Sequence, residues 1–184
     1  MDMENILNNL PVLETGRLIL RKISVNDAEN IFEYAKDDEV TKNLVWATHK
    51  TIEDTKKFLA EGVGFMPPPW AIVCKTDNKV IGTISFMNYT PEHSRVEVGF
   101  VISKKYWGRG FMTEVLKEVI KFGFEKLKIN RIEAFCNSEN AASAKVMEKS
   151  GMKLEGMSRE YLFVKGKFWD MKIYSILKND LMKL

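Results

Sequence analysis

Between Arg95 and Leu127 the hydrophobic period of this chain changes once, and the change falls across two glycines. Arg95–Ile102 alternates as a strand does. Met112, Val115, Leu116, Val119, Ile120, Gly123, Phe124 and Leu127 then recur at i, i+3, i+4 spacing, with Glu114, Lys117, Glu118, Lys121 and Glu125 filling most of the opposite side. The connection, Lys105-Tyr-Trp-Gly108-Arg109-Gly110, is a tight loop that opens directly into the helix. Glycine adopts backbone angles closed to other residues and lets a ligand come close to the chain. The first N–H groups of a helix lack partners and sit at the positive end of its dipole, so they suit a phosphate or pyrophosphate. Lys105 and Arg109 add charge. On spacing alone a plain turn into a helix fits equally well, because short glycine spacings are weak signals. Two other phosphate cradles fit poorly: the loop lacks the Gly-Lys-Ser/Thr ending of a P-loop, and the third glycine and downstream acid of a dinucleotide site.

The rest of the chain supplies a scaffold. Residues 17–23 read as a strand after the turn Glu14-Thr15-Gly16, and a helix opens at Asn26 or Asp27 and runs to about Lys36. Thr51-Ile-Glu-Asp54 loosely matches a capping box and leads a second helix to about Glu61, ended by Gly62 and Gly64. Pro67-Pro68-Pro69 is an extended connector. Trp70–Lys75 and Lys79–Tyr89 form a hairpin about residues 76–78, with Arg95–Ile102 as the third strand. Strand Arg131–Cys136 precedes a helix from about Glu139 to Lys149, with Ser138 as cap and Gly151 as stop. Met152–Gly156, Tyr161–Val164 and Phe168–Ile176 close the pattern. The expectation is an α+β fold with one mixed central sheet of about six to seven strands and flanking helices. A single domain is expected over residues 1–184, with 1–12 as a loose N-terminal extension.

Composition removes several classes. At 184 residues and 45% hydrophobic, the chain is long and apolar enough for its own core, which excludes disorder. No apolar run approaches the roughly 20 residues of a membrane span, and the first residues carry acids where a secretory signal wants bases. Cys74 and Cys136 each lie in a strand-like apolar run and read as reduced buried thiols, so the cytoplasm is the expected compartment. The net charge of +3 comes from interleaved bases and acids, and no direct nucleic-acid binding is expected. His49 and His93 have no metal-ligand spacing with cysteine or acid, so no metal is expected and both read as solvated loop residues.

Five motifs in order carry a resemblance: Leu13-Glu-Thr-Gly-Arg-Leu18, Glu97-Val-Gly-Phe100, Tyr106-Trp-Gly-Arg-Gly110, Asn140-Ala-Ala-Ser143 followed by Glu148-Lys-Ser-Gly-Met152, and Gly166-Lys-Phe-Trp-Asp170. Together they cover about residues 13–178. The chain resembles the GNAT superfamily of acetyl-CoA-dependent N-acetyltransferases, and within it the RimJ/RimL branch. Its Lys105-x-x-Gly108-x-Gly110 is similar to the family's Arg/Gln-x-x-Gly-x-Gly/Ala pyrophosphate loop, with Lys105 as the departure. The resemblance implies that acetyl-CoA is the co-substrate. Its pyrophosphate would lie on Lys105, Gly108, Arg109 and Gly110, with Met112 and Thr113 in the first helical turn. Gly99 would mark a bulge that splays the strand, freeing the backbone of Phe100, Val101 and Ile102 for the pantetheine arm and an oxyanion. Asn140 and Ser143 would face the arm and the sulfur. Many related enzymes have a Tyr as general acid where this chain has Met147, which cannot donate a proton, so Ser143 becomes the candidate. Glu97 is the candidate base, the alternative being a carboxylate paired with Arg95 or a cross-strand Lys. Glu160 and Asp170 read as substrate-side or structural carboxylates. Trp46 or Trp70 would wall the acceptor pocket.

The acceptor implied is a primary amine, most closely a protein N-terminus. A polyamine, an amine-bearing antibiotic and a non-catalytic acetyl-CoA sensor are the alternatives. A homodimer is expected from relatives.

Overall fold

In the computed structural model, residues 9–61 and 68–181 are described. Gly62, Gly64, Pro67 and most of the expected N-terminal extension lie outside them. The strands are β1 (Leu13–Glu14), β2 (Leu18–Lys22), β3 (Trp70–Cys74), β4 (Lys79–Thr90), β5 (Arg95–Ile102), β6 (Arg131–Asn137), β7 (Lys153–Val164) and β8 (Lys167–Leu177). The helices are α1 (Ala28–Ala35), α2 (Asp38–Thr41), α3 (Ile52–Glu61), α4 (Phe111–Glu125), α5 (Ala141–Lys149) and α6 (Lys178–Leu181). One eight-stranded sheet has the order β1-β2-β3-β4-β5-β6-β8-β7. The expected count of about six to seven falls short chiefly because β1 is two residues long, below what an alternation pattern can register.

Every residue of β3 is buried, because both faces of the sheet are covered. Trp70, Ile72 and Cys74 join the core beneath α4 and α5, while Ala71 and Val73 join a second cluster with Ile31, Tyr34 and Ala35 of α1. The 3.6-residue period of α4 thus matches its packing: Met112, Val115, Leu116, Val119 and Ile120 are all buried. None of the described helices is long and apolar enough to cross a membrane.

The first turn before α1 is held by Asp27, whose carboxylate accepts both guanidinium N–H groups of Arg21 at 2.8 and 2.6 Å and the Ser24 N–H at 2.8 Å. Asp27 is buried. Asp27→Ala leaves the Ser24 N–H and the Arg21 fork without their acceptor, and should cost about 2–4 kcal/mol. Thermal unfolding would show it as a Tm lowered by roughly 5–15 °C.

At the centre of the sheet the strands part. β5 and β6 form a parallel pair over Arg95–Glu97 and Arg131–Glu133 only. Beyond that point β6 stays with β8 as far as Asn137, and β5 stays with β4 as far as Ile102. The expected bulge at Gly99 is absent: Gly99 sits in register with Ser85, and a Cβ there would lie 2.5 Å from the Met87 side chain, which packs over it. The register shift falls instead in β4, between Met87 and Thr90, where Asn88 takes a positive φ of 50°.

Candidate active site

The gap between β5 and β6 exposes a peptide edge. The Ser103 N–H reaches back to the Ile81 carbonyl at 2.8 Å, and the Ser94 carbonyl accepts from Asn130 and Arg131 on the β6 side. Strand parity between these ends turns the peptides of Phe100 and Ile102 toward the gap and that of Val101 toward β4. Val101 therefore contributes only its side chain to this region, on the cavity wall. The Ile102 carbonyl accepts the Trp107 indole N–H at 2.9 Å, which anchors the following loop.

That loop ends in two glycines in the left-handed region, Gly108 at φ 71° and Gly110 at φ 75°. Gly110 caps α4, and the Glu114 N–H is the first of the helix to close on a backbone carbonyl, that of Gly110 at 3.1 Å. The N–H groups between them point out of the helix end, as anion sites require. Arg17 braces the loop: it donates to the Arg109 carbonyl at 3.0 Å and to Glu114 at 2.6 Å, and lies over the Phe111 ring. The brace is a feature that the sequence does not advertise, since Arg17 lies 92 residues before Arg109. Arg109 itself is exposed and stacks on Phe111 and Tyr106. Lys105 pairs with Glu33 of α1, whose carboxyl it holds below the ordinary range. The Met112 side chain is buried in the core, leaving only its backbone for a ligand, and Thr113 is half-buried.

A cavity of about 690 Å³ opens from the strand gap on the face opposite α4. Glu97, Gly99, Phe100 and Val101 of β5 line it together with Asn137, Asn140 and Ser143. Asn140, not the expected Ser138, caps α5, accepting the Ser143 N–H at 3.1 Å. Met147 lies one turn further along α5 but is fully buried in the core and does not line the cavity.

Glu97 pairs with neither Arg95 nor a lysine. Its carboxylate accepts from the Asn88 side chain at 2.8 Å, and the kink in β4 is what brings Asn88 there. Arg95 instead reaches Glu133, at 3.8 Å, which Arg131 also holds at 2.9 Å. Burial pushes the Glu97 carboxyl above its ordinary value; the Asn88 hydrogen bond opposes this and the charge of Glu133 beside it adds to it. A carboxylate raised in this way is a better proton acceptor near neutral pH.

The far wall departs from the sequence reading at one residue. His49 is buried, with Nδ1 2.8 Å from the Thr55 hydroxyl and ring contacts to Trp46 and Phe58, and its pKa is lowered by burial. A histidine in a polar run offers no pattern that would reveal this. Trp46 lines the cavity, while Trp70 is wholly in the core and donates to the Pro11 carbonyl at 2.8 Å. In the tail, Asp170 accepts the Glu160 N–H at 2.8 Å, a structural bond that fixes Glu160 at φ 49°.

A bare strand edge, a positive-φ glycine loop and an unpartnered helix start suit a cofactor that has an amide-bearing arm and a pyrophosphate. Comparison with known proteins agrees. Residues 17–153 match the family model described as an acetyltransferase (GNAT) domain. The Bacillus subtilis protein named uncharacterized N-acetyltransferase YoaA is 35% identical over 172 residues, covering 91% of this chain and 97% of its own length. A GNAT-family acetyltransferase structure from Bacillus anthracis superposes with a TM-score of 0.83 at 32% identity, over 92% of this chain and 99% of that one. The ribosomal-protein-S5-alanine acetyltransferase of Vibrio fischeri gives 0.78 at 26% identity, over 92% and 98%. The eight-stranded sheet with its single parted pair is thus the GNAT fold, and the chain belongs to the GNAT family of N-acetyltransferases.

Proposed function

We propose that this enzyme moves an acetyl group from acetyl-CoA to a primary amine, and that the amine is the N-terminus of a protein or peptide. One observation carries the reading: the free peptide edge of β5 and the raised Glu97 carboxyl open on the same cavity. Acetyl-CoA, the co-substrate of this family, supplies the thioester-activated acetyl group. The chain does the rest by holding and charging the reactants. The loop Lys105–Gly110 and the first turn of α4, through Met112 and Thr113, hold the pyrophosphate by backbone N–H groups. Phe100 and Ile102 pair with the pantetheine arm, and the Phe100 N–H donates to the carbonyl oxygen as it gains negative charge. Asn140 and Ser143 approach the arm from α5.

Glu97 takes the amine proton, directly or through one water. The hydroxyl of Ser143 donates to the departing thiolate; Met147, sunk in the core, takes no part. Ser143→Ala should lower kcat by about 10-fold, the worth of one charge-assisted hydrogen bond, and leave acetyl-CoA affinity within about 3-fold. Unchanged turnover would assign Ser143 to packing alone.

The likeness to the Vibrio fischeri enzyme favours an N-terminal amine. Polyamines fit less well, because two of the acids of α1 and α2 are already spent on bases: Glu33 on Lys105 and Lys79, Glu39 on Lys42. The buried thiols Cys74 and Cys136 suit a reducing cytoplasm. β7 is the outer strand and exposes Leu154, Met157 and Phe163, a fitting surface for the expected homodimer. The test of the function is thiol release from acetyl-CoA across N-terminal peptides, polyamines and aminoglycosides. Peptide-dependent release supports the reading. Release with a polyamine or aminoglycoside alone replaces the acceptor, and cofactor binding without release on any amine favours a sensor.

A further inference from the structure

Among the described residues, one buried side-chain polar atom has no hydrogen-bond partner: the indole Nε1 of Trp169. Trp169 lies on β8 and is 3% exposed, and it lines the cavity that Glu97 faces. The pairing of the sheet fixes its side. Glu133, Phe135 and Asn137 of β6 stand opposite Ser175, Ile173 and Met171 of β8, and Trp169 follows Met171 on the same face. The gap where the β5 edge is free opens beside Asn137, so Trp169 stands one step along the wall from it.

A buried donor left without a partner costs about 1–3 kcal/mol, and folds seldom retain one without a use. The packed neighbours of Trp169, which are Val164, Met171, Phe135 and Leu162, offer it no side-chain acceptor. The Nε1 atom is closed to solvent, so an acceptor reaches it only as the ring shifts toward the cavity that Trp169 lines. An oxygen carried in on a ligand needs only the one donor, because the rest of the ligand fills the apolar space around it.

We infer that the Trp169 indole N–H is a specificity-determining donor for the acceptor substrate, receiving a carbonyl oxygen close to the reacting amine, and that the acceptor carries an apolar side group. The walls support the second part. Trp46, Phe58, Phe135, Leu162 and Met171 line the cavity, and Tyr161 stacks on Phe135 with ring centroids 5.8 Å apart. Of the two carboxylates among the lining residues, Glu133 is already held by Arg131 and Arg95. A site of this kind recognises a carbonyl and a hydrocarbon surface, and offers little to a second cationic group. The inference rests on the N-terminal-amine reading above and names the residue by which the site would tell such an amine from a plain alkyl amine.

The test compares two acceptors that differ by one carboxamide, phenylalaninamide and 2-phenylethylamine, on the wild type and on Trp169→Phe. The ratio of kcat/KM between acceptors is read within each protein, so their different basicities cancel when the two ratios are compared. Trp169→Phe should lose about 10-fold or more in kcat/KM for phenylalaninamide and stay within about 3-fold for 2-phenylethylamine, with KM for acetyl-CoA unmoved. Equal losses on both amines would make Trp169 a packing residue, and no loss on either would remove it from recognition; each overturns the inference and leaves the acetyltransferase standing. If the wild type acetylates neither amine nor any N-terminal peptide while binding acetyl-CoA, the acceptor reading itself fails and the inference falls with it.

Discussion

Glu97→Gln should lower kcat by about 10²–10⁴-fold and remove the acidic limb of its pH profile, with acetyl-CoA affinity unchanged. The substitution keeps the size of the side chain and an oxygen that can still accept from Asn88, so the β4 kink and the cavity wall stay in place. What is lost is the ability to take a proton. The sign of the pH effect follows from the direction of the shift. A base works in its deprotonated form, so kcat rises as pH passes upward through the Glu97 pKa. Burial and the charge of Glu133 move that pKa above the ordinary carboxyl value, which brings the limb closer to neutrality than a surface carboxylate would put it. Removing the neighbour should shift the limb the other way: Glu133→Gln lowers the Glu97 pKa and extends activity to lower pH. A Glu97→Gln enzyme whose acidic limb persists would place the base elsewhere.

Gly110→Val should weaken acetyl-CoA binding by about 10²–10³-fold in calorimetry, with the fold intact. The reason is conformational. A Cβ on Gly110 would have the Arg17 guanidinium 3.7 Å away as its nearest neighbour, an ordinary contact, and one on Gly108 would meet nothing within 4 Å. Both residues, however, hold φ above 70°, where a β-branched side chain is strongly disfavoured. Valine therefore rebuilds the loop and turns its N–H groups away, and two lost charge-assisted bonds account for the magnitude. Gly110→Asn separates this cause from crowding, since asparagine tolerates the left-handed region and should retain most of the affinity. Binding unchanged by valine at either glycine would take the pyrophosphate off this loop.

The parts of the fold legible in the sequence are those with a long, regular period. β5 ends where the alternation ends, and α4 begins one residue past Gly110 as the glycine spacing requires. Short elements escaped: β1 and the four-residue α2 and α6 are held by their neighbours and by single caps such as Asp37 on the Glu39 N–H. The loop is legible because its left-handed backbone conformation calls for glycine, and Gly108 and Gly110 mark it. The strand gap does not come from a bulge at Gly99. Its cause is that β6 follows β8 and not β5 after Glu133, a choice made by the pairing of Ala134–Asn137 with Met171–Tyr174 that no local pattern encodes. For the same reason Asn88 as the partner of Glu97, the burial of His49 and the lone N–H of Trp169 could not be read in advance. Each depends on what another segment brings opposite.

β8 is the last strand of the sheet to be synthesised, and it lies inside the sheet, between β6 and β7. A chain leaving the ribosome presents β6 and β7 first, but neither is the other's neighbour in the finished order. Both wait for Lys167–Leu177, and Trp169 and Met171 arrive on that same strand. The loop Lys105–Gly110 and α4 precede that strand in the chain, while the part of the cavity wall made by Trp169 and Met171 comes only with it. A chain without β8 therefore carries the glycine loop but lacks part of the cavity wall.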